Sequence, residues 1–283
     1  MAMNRLAADH RRVLAGLRLR RFAAAATLWS AATAHAAGAT LDVALWSKYV
    51  FRGQVYTDDP VLQPSLTLAG PSGLSFNTWL NFDLTDANST PDRDTRGRPT
   101  EADVTLSWTP AEGLWTPEVG VTAYLISEPP GAAGTTADAW AGLRFDPAEL
   151  VEGAAAVLPA VSARVWYEFL DIDDLYAALG ADRVWELAEG LTLSLSASVG
   201  YGRRPYNEYF FGGDDPEAPV VDRGGWNDVT VVAELAWTIG EGVTAGLMGQ
   251  YTALLDDMIR AAARSRYGGD EWWLGGARVS WEF

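Results

Sequence analysis

Apolar and polar residues alternate with a period of two through most of the chain beyond residue 40. In residues 191–201 every second residue is apolar or aromatic, from Leu191 to Tyr201, and the residues between them are Thr, Ser and Gly. Such a period places alternate side chains on opposite faces of a β-strand. The same pattern recurs at 74–83 and 228–239. The alternation predicts an all-β fold, but a soluble sandwich and a barrel would both produce it.

The N-terminus has the features of a secretory signal peptide. Six arginines between Arg5 and Arg21 precede the apolar run Phe22 to Ala32, which ends in Ala34-His35-Ala36. A basic segment, an apolar segment and a small-x-small site are the three parts of such a signal. We therefore predict that residues 1–36 are a removed signal peptide and that 37–283 form the mature protein.

Composition excludes several classes of protein. The chain has 21 basic and 37 acidic residues, of which residues 1–36 contain six and one, so the mature part carries 15 against 36. Nucleic acid is not expected as a partner because phosphate binding requires a basic face. There is no cysteine, so the exported fold lacks disulfides. After residue 36 no run of about 18 apolar residues follows, so strands would have to cross any membrane.

The connections between the predicted strands favour a membrane barrel over a sandwich. Outer-membrane barrels alternate short periplasmic turns with longer outer loops. The short connections 70–73, 110–113, 188–190 and 240–242 all contain glycine, and long polar segments separate them, including 86–100, 203–225 and 256–270. The connection 146–159 is long for a periplasmic turn, and 171–174 is short for an outer loop. The predicted strands are 41–52, 61–70, 73–85, 101–109, 114–126, 136–146, 159–170, 175–187, 190–202, 226–239, 242–255 and 271–283.

Aromatic residues lie near the predicted strand ends, as expected where hydrocarbon meets water. Trp108, Trp115, Trp185, Trp237 and Trp281 fall at periplasmic ends, and Trp226, Trp272 and Trp273 at outer ends. The chain ends in an alternating strand whose last residue is Phe283, which resembles the signal read by the outer-membrane assembly machinery. These features predict a closed up-and-down antiparallel transmembrane β-barrel of about 12 strands in the bacterial outer membrane, in contact with lipid and lipopolysaccharide.

Assigning the apolar parity to lipid leaves a set of charged and polar residues that should line the lumen. On the lipid face near the midplane each charge would cost roughly 2–4 kcal/mol. Both signs are present, so the lumen is either a water-filled pore or a space closed by ion pairs. The predicted lumen residues are Lys48, Arg52, Asn81, Asp83, Arg144, Arg164, Glu168, Glu234 and Arg278.

Four tryptophans share the parity of these inward residues: Trp46, Trp79, Trp140 and Trp166. Each lies five to seven residues from the periplasmic end of its predicted strand, so they should form an aromatic tier at mid-height in the lumen. Large rings can simply fill a narrow barrel. A stacking surface for a ring-shaped solute such as a sugar or nucleoside is the alternative, and an error of parity in one or more strands is the third interpretation.

The segment 42–54, with its Tyr-x-Phe-Arg-Gly element at Tyr49 to Gly53, resembles the opening of the TorF-type porin family. The Asp-Pro-x-x-Gln element at Asp59 to Gln63 and residues 73–79 extend the resemblance. Beyond residue 85 only the general barrel pattern matches. The resemblance implies a porin-like outer-membrane protein of poorly defined function and supplies no catalytic residues.

The chemistry available to the mature chain is limited. Both histidines, His10 and His35, lie in the predicted signal peptide, and there is no cysteine, so no enzyme, cofactor or metal site is predicted. The densest acidic cluster is Glu168, Asp171, Asp173 and Asp174, which could bridge calcium or lipopolysaccharide but would equally solvate a loop. The favoured function is passive passage of small hydrophilic solutes. The alternative is a non-conducting structural or adhesion barrel whose acidic outer loops bind cations or partners.

Overall fold

The computed structural model describes residues 38–91, 94–126, 135–150, 157–212 and 219–283, so the predicted signal peptide lies outside the described residues. Fourteen strands and two helices are present in these ranges. The helices are α1, Arg204–Phe211, and α2, Asp257–Tyr267. The strands are β1 Gly38–Trp46, β2 Tyr49–Phe51, β3 Gln54–Thr57, β4 Val61–Ala69, β5 Leu74–Asp83, β6 Pro99–Trp108, β7 Trp115–Ile126, β8 Thr135–Phe145, β9 Ala160–Glu168, β10 Asp174–Ala188, β11 Leu191–Gly202, β12 Gly225–Gly240, β13 Val243–Leu254 and β14 Glu271–Glu282.

Twelve of the strands form one closed antiparallel barrel, which confirms the predicted fold. Each wall strand pairs with its neighbours in the chain, except that β1 pairs with β4 and also with β14. The β1–β14 seam closes the ring through pairs such as Val43 with Val279 and Leu45 with Ala277. Closure leaves no unpaired strand edge, as lipid requires. The remaining strands, β2 and β3, form a separate hairpin.

The outside of the barrel is apolar and the inside is polar. Val121, Leu179 and Val279, which belong to the apolar parity, are 47%, 52% and 48% exposed. On the opposite parity, side chains of neighbouring strands bond to one another, as Arg278 of β14 does to Asp42 of β1 at 2.9 Å. An exposed apolar exterior around a polar interior is the surface pattern of a transmembrane barrel.

The two ends of the barrel differ in their connections. At one end, here the turn end, the links are 70–73, 109–114, 146–159, 189–190 and 241–242. Gly73 shows how tight the first of these links is: its φ is +79°, and a Cβ added there would lie 1.8 Å from the carbonyl oxygen of Thr109. At the other end, the loop end, the links carry the β2–β3 hairpin and both helices. Neither helix is long and apolar enough to span a membrane, among the residues described.

Three expectations about the loop end were wrong. The strand predicted at 41–52 ends at Trp46, and the chain then turns into the β2–β3 hairpin. The segments 203–225 and 256–270 were predicted as polar loops, but they contain α1 and α2. Trp272 is only 6% exposed and faces inward, whereas the adjacent Trp273 is 74% exposed and lies in the predicted aromatic belt. All three differences have one cause, because the loops fold into the barrel mouth and bury apolar residues there.

Candidate functional site

The β2–β3 hairpin crosses the lumen in the loop half of the barrel. It is rooted where β1 ends and β4 begins, at the register pair Trp46 and Val61. Its tip residue Arg52 contacts Asp138 of β8, Trp166 of β9 and Tyr176 of β10. In the ring of 12 strands, β9 and β10 lie opposite β1 and β4. The hairpin therefore reaches from one wall to the other.

The tip is a two-residue turn that matches the Tyr-x-Phe-Arg-Gly element. Phe51 pairs with Gln54, and the residues between them, Arg52 and Gly53, have φ of 50° and 75°. Positive φ at both central positions defines a type I′ turn, whose twist suits a two-residue hairpin. A Cβ at Gly53 would meet Leu254 at 2.4 Å, so glycine is also required for close approach to the wall.

The guanidinium of Arg52 lies in a buried pocket that we call the Arg52 cage. The Arg52 Cζ is 4.5 Å from the ring centroid of Trp166 and 4.4 Å from that of Tyr176. Its Nη2 is 3.6 Å from Oδ2 of Asp138, and its Nη1 donates to the hydroxyl of Tyr206 at 3.5 Å. Burial raises the pKa of Tyr206 to about 12, so this hydroxyl stays protonated. Desolvated cation–π contacts are worth about 2 kcal/mol, so the cage holds the tip firmly.

On one flank the hairpin packs against β5 and β6. Tyr49 stacks on Tyr56 at 5.0 Å and contacts the ring of Trp79 at 5.4 Å. Burial and the neighbouring carboxylate of Glu101 raise the pKa of Tyr49 well above its usual value. Tyr49 is therefore neutral and lies beside Glu101, which is 5% exposed.

The root of the hairpin joins a buried polar network on β4 and β5. Thr57 donates to Oδ1 of Asp83 at 2.9 Å, and Asn88 donates to Oδ2 of the same carboxylate at 3.0 Å. Gln63 donates to Asn81 at 3.0 Å. Asn81 and Asp83, both predicted lumen residues, are 1% and 0% exposed. They therefore fix the hairpin root and are not open to solute.

On the other flank an apolar cluster fills the space between the hairpin, the helices and the wall. Its members come from the hairpin, from α1 and α2 and from the inner faces of β13 and β14, and include Val50, Phe211, Leu254, Ile259 and Trp272. Burying such side chains contributes about 1.5–3 kcal/mol each. The hairpin and both helices therefore form one packed unit, here called the plug.

The N-terminus of α2 depends on a charged cap. Oδ1 of Asp256 accepts hydrogen bonds from the N–H groups of Met258 at 2.9 Å and Ile259 at 3.4 Å, and Arg223 lies 3.0 Å from Oδ2. Partial burial alone would raise the pKa of Asp256, but these bonds together hold it below its ordinary value. The ionised Asp256 carboxylate therefore stabilises the fold above its unfolded pKa of about 4, and this stabilisation is lost as the pH falls through its folded pKa.

We expect Asp256→Ala to destabilise the plug by about 1 kcal/mol at neutral pH and by less near pH 3, because the wild-type carboxylate is protonated there. Thermal unfolding of both proteins in detergent from pH 7 to pH 3 checks this. Asp256→Asn is the matched control, since it keeps a capping oxygen without a titrating group. A gap between wild type and Asp256→Ala that stays constant with pH would contradict the assignment.

The turn half of the lumen has a different character, and we call it the cup. Three arginines pair with five carboxylates on its inner wall, four of the pairs at 2.8–2.9 Å. The side chains are 17–41% exposed, so these pairs meet solvent. The pairs are Arg144 with Asp146 and Asp182, Arg164 with Glu118, and Arg278 with Asp42 and Glu234.

The four predicted lumen tryptophans lie on inner faces but do not form one tier. Trp140 and Trp166 are register partners on β8 and β9, and the Arg164 guanidinium lies 4.7 Å and 5.5 Å from their rings. Trp79 packs on the hairpin through Tyr49. Trp46, the last residue of β1, packs against the apolar cluster. The three groups have different neighbours, so they form no single tier in the described part of the lumen.

Two other predicted lumen residues have structural roles. Glu168, which is 4% exposed, accepts hydrogen bonds from the backbone N–H groups of residues 170–173 and so organises the turn between β9 and β10. Lys48 lies beyond the end of β1 and pairs with Asp58 at the hairpin root. In the acidic cluster, Asp174 binds Arg203 at 3.1 Å and the N–H of Tyr206 at 3.2 Å. Within the described ranges no three His, Cys, Asp or Glu residues are placed to hold a metal ion.

The fold and the plug define a 12-stranded porin-like barrel whose mouth is crossed by its own first hairpin. The profile of a family described as a bacterial protein of unknown function (Gcw_chp) matches residues 30–201, which is more than half of the chain. The chain therefore belongs to this family. The matched region includes the whole hairpin.

The solved structures that match this chain include outer-membrane porins. The KdgM porin aligns with a TM-score of 0.50 at 8% identity, over 86% of this chain and 99% of the other. The NanC porin gives 0.47 at 11% identity over 85% and 97%, and an outer-membrane channel from Pseudomonas putida F1 gives 0.43 at 12% over 87% and 96%. At 8% identity the likeness to the KdgM porin shows the fold alone. No curated protein matches the sequence.

Proposed function

We propose that the protein is a low-conductance channel of the bacterial outer membrane for small hydrophilic solutes. The observation that carries the proposal is the solvent-exposed, charged inner wall of the cup inside an apolar exterior. A charged inner wall that solvent reaches can carry water and ions through the barrel. The resemblance of residues 42–79 to TorF-type porins supports the same assignment. The proposal assigns no catalytic residue and no cofactor.

The plug and the charges of the cup determine the expected behaviour. The hairpin crosses the loop half, so the conductance should be small. Five carboxylates face three arginines in the cup, and this excess of negative charge should enrich cations. Phe283 ends the strand that closes the ring through reciprocal 2.9 Å hydrogen bonds with Ala39, and it is the residue we propose as the assembly signal.

Planar bilayers containing the purified protein test the proposal. We expect small single-channel steps that grow with salt, and a reversal potential in a salt gradient that indicates weak cation preference. Detergent-purified protein that is folded, as judged by its heat-modifiable migration in gels, but gives no steps at any voltage would contradict the channel.

A second candidate is a non-conducting structural barrel, and the packing of the plug favours it. The Arg52 cage and the apolar cluster are as buried as a protein core. Under this alternative, the wild type and a variant without the hairpin would both be silent in bilayers.

A further inference from the structure

The groups that surround the Arg52 guanidinium belong mainly to the barrel and to α1. Trp166 and Tyr176 come from β9 and β10, and Tyr206 comes from α1. Tyr176 and Tyr206 are 4% and 2% exposed. The hairpin itself contributes the ring of Phe51, whose centroid lies 4.7 Å from the Arg52 Cζ. Because the wall strands are held by continuous pairing, the Trp166 and Tyr176 faces of the cage do not depend on the hairpin.

Two buried carboxyl groups, those of Asp138 and Asp228, lie beside the hairpin tip in the cage. Asp138 lies 3.6 Å from the guanidinium, and Tyr124 donates to the same carboxylate oxygen at 3.0 Å. Tyr176 donates to Asp228 at 2.8 Å, and a Cβ added at the tip residue Gly53 would lie 3.3 Å from the Cβ of Asp228. Both carboxylates are 3% exposed. Aromatic faces beside buried carboxylates are the chemistry that binds guanidinium and ammonium groups.

We propose that the Arg52 cage is a binding site for small organic cations that carry a guanidinium or amine group, and that Arg52 is its built-in occupant. A solute cation competes with Arg52 for the same aromatic faces and carboxylates. When it binds, the tip of the hairpin loses its anchor on the far wall. The claim that such cations are the solutes of the pore rests on the proposed channel function. The binding itself does not require conduction.

The cage lies next to the cup, whose side chains are exposed to solvent. Trp166 contacts Arg52 at 4.5 Å and Arg164 at 5.5 Å. The Arg164 side chain is 37% exposed and belongs to the cup. A cation that enters from the turn end therefore meets the cage directly beyond the Arg164 and Trp166 pair.

The variant Arg52→Asn empties the cage while keeping the turn. Asn tolerates positive φ, and Asn before Gly is the preferred pair for a type I′ turn. Isothermal titration with methylguanidinium chloride, on protein purified in detergent, then measures the site. We expect saturable binding to Arg52→Asn and at least about tenfold weaker binding to the wild type, whose cage is occupied. Titration with sodium chloride at equal ionic strength, or with urea, should give no saturable binding to either protein.

The double variant Arg52→Asn with Asp138→Asn is the matched control. It keeps the acceptor for Tyr124 but removes a buried charge, and we expect it to lose the binding. Absence of saturable binding to folded Arg52→Asn, equal binding to the wild type, or binding that survives Asp138→Asn would each overturn the inference. Bilayer steps from the wild type together with no binding would reject the cation site and keep the channel. Binding without steps would keep the site and reject the channel.

Discussion

Replacing residues 48–59 with Asn-Gly is expected to raise the single-channel conductance by about threefold or more, because the segment that crosses the lumen is removed. Trp46 and Val61 are register partners, so the strand ends are adjacent and a two-residue turn can join Ser47 to Pro60. The pairing of β1 with β4 and β14 does not depend on the hairpin. The wall should therefore close as before.

The same variant should also shift ion selectivity toward cations. The hairpin covers Asp83, Glu101, Asp138 and Asp228, which are 0–5% exposed in the wild type. Removing Arg52 together with the hairpin leaves these inward carboxylates without its charge and open to water. Planar-bilayer conductance and reversal potential measure both effects.

Asp58→Asn is the control for the hairpin deletion. It removes the partner of Lys48 at the hairpin root but leaves the tip and the cage unchanged. Its conductance should match the wild type. If the deletion variant folds, as shown by its heat-modifiable migration, but conducts no more than the wild type, the hairpin is not the constriction.

The barrel itself could be predicted from the sequence because one physical rule repeats along it. Each wall strand alternates, and the short connections at the turn end carry glycine, so the bounds of the strands were predicted within a few residues, apart from the end of β1. For example, 190–202 was predicted, and β11 is Leu191–Gly202. Lipid outside and polar groups inside impose this pattern on every strand.

The hairpin could not be predicted by the same rule. In residues 41–52 the apolar parity is interrupted at Ser47 alone, and a single polar residue marks the end of β1 at Trp46 only weakly. The other local signal is Gly53, which tolerates positive φ between two short β-prone segments. Whether a hairpin projects outward or folds into the lumen depends on contacts with Trp166 and Tyr176, which are more than a hundred residues away in the chain.

The apolar cluster was missed for a related reason. Parity arguments assign apolar residues to lipid, but Trp272 and Leu274 of β14 lie on the inner face and contact the plug. A loop that returns to the lumen creates a second apolar environment, and the sequence of a single strand does not distinguish it from lipid.

Glu168→Ala is expected to lower the free energy of unfolding by roughly 3 kcal/mol or more, since hydrogen bonds to a charged acceptor are worth about 1.5–3 kcal/mol each. The carboxylate accepts from Leu170 at 2.8 Å, from Asp171 at 3.0 Å and from Asp173 at 3.2 Å, and also from Thr136. Without it these backbone N–H groups lose their acceptor at a nearly buried site. Urea unfolding of the wild type and Glu168→Ala in lipid vesicles measures this difference in the free energy of unfolding.

The effect of Glu168→Ala should spread from the turn to the plug. Asp173 holds a φ of 53°, which is costly for a residue with a side chain, and its N–H is one of the groups bound to Glu168. The next residue, Asp174, anchors α1 through the N–H of Tyr206. Protease cleavage near α1 should therefore increase together with the loss of stability.

Two further variants make the Glu168 prediction specific. Glu168→Gln keeps one acceptor oxygen, so its loss should be intermediate between wild type and Glu168→Ala. Glu189→Ala removes an exposed carboxylate from a turn and should change stability by less than about 0.5 kcal/mol. If Glu168→Ala unfolds with the same free energy as Glu189→Ala, the carboxylate does not organise the turn, and the anchoring of α1 must come from Asp174 and Arg203 alone.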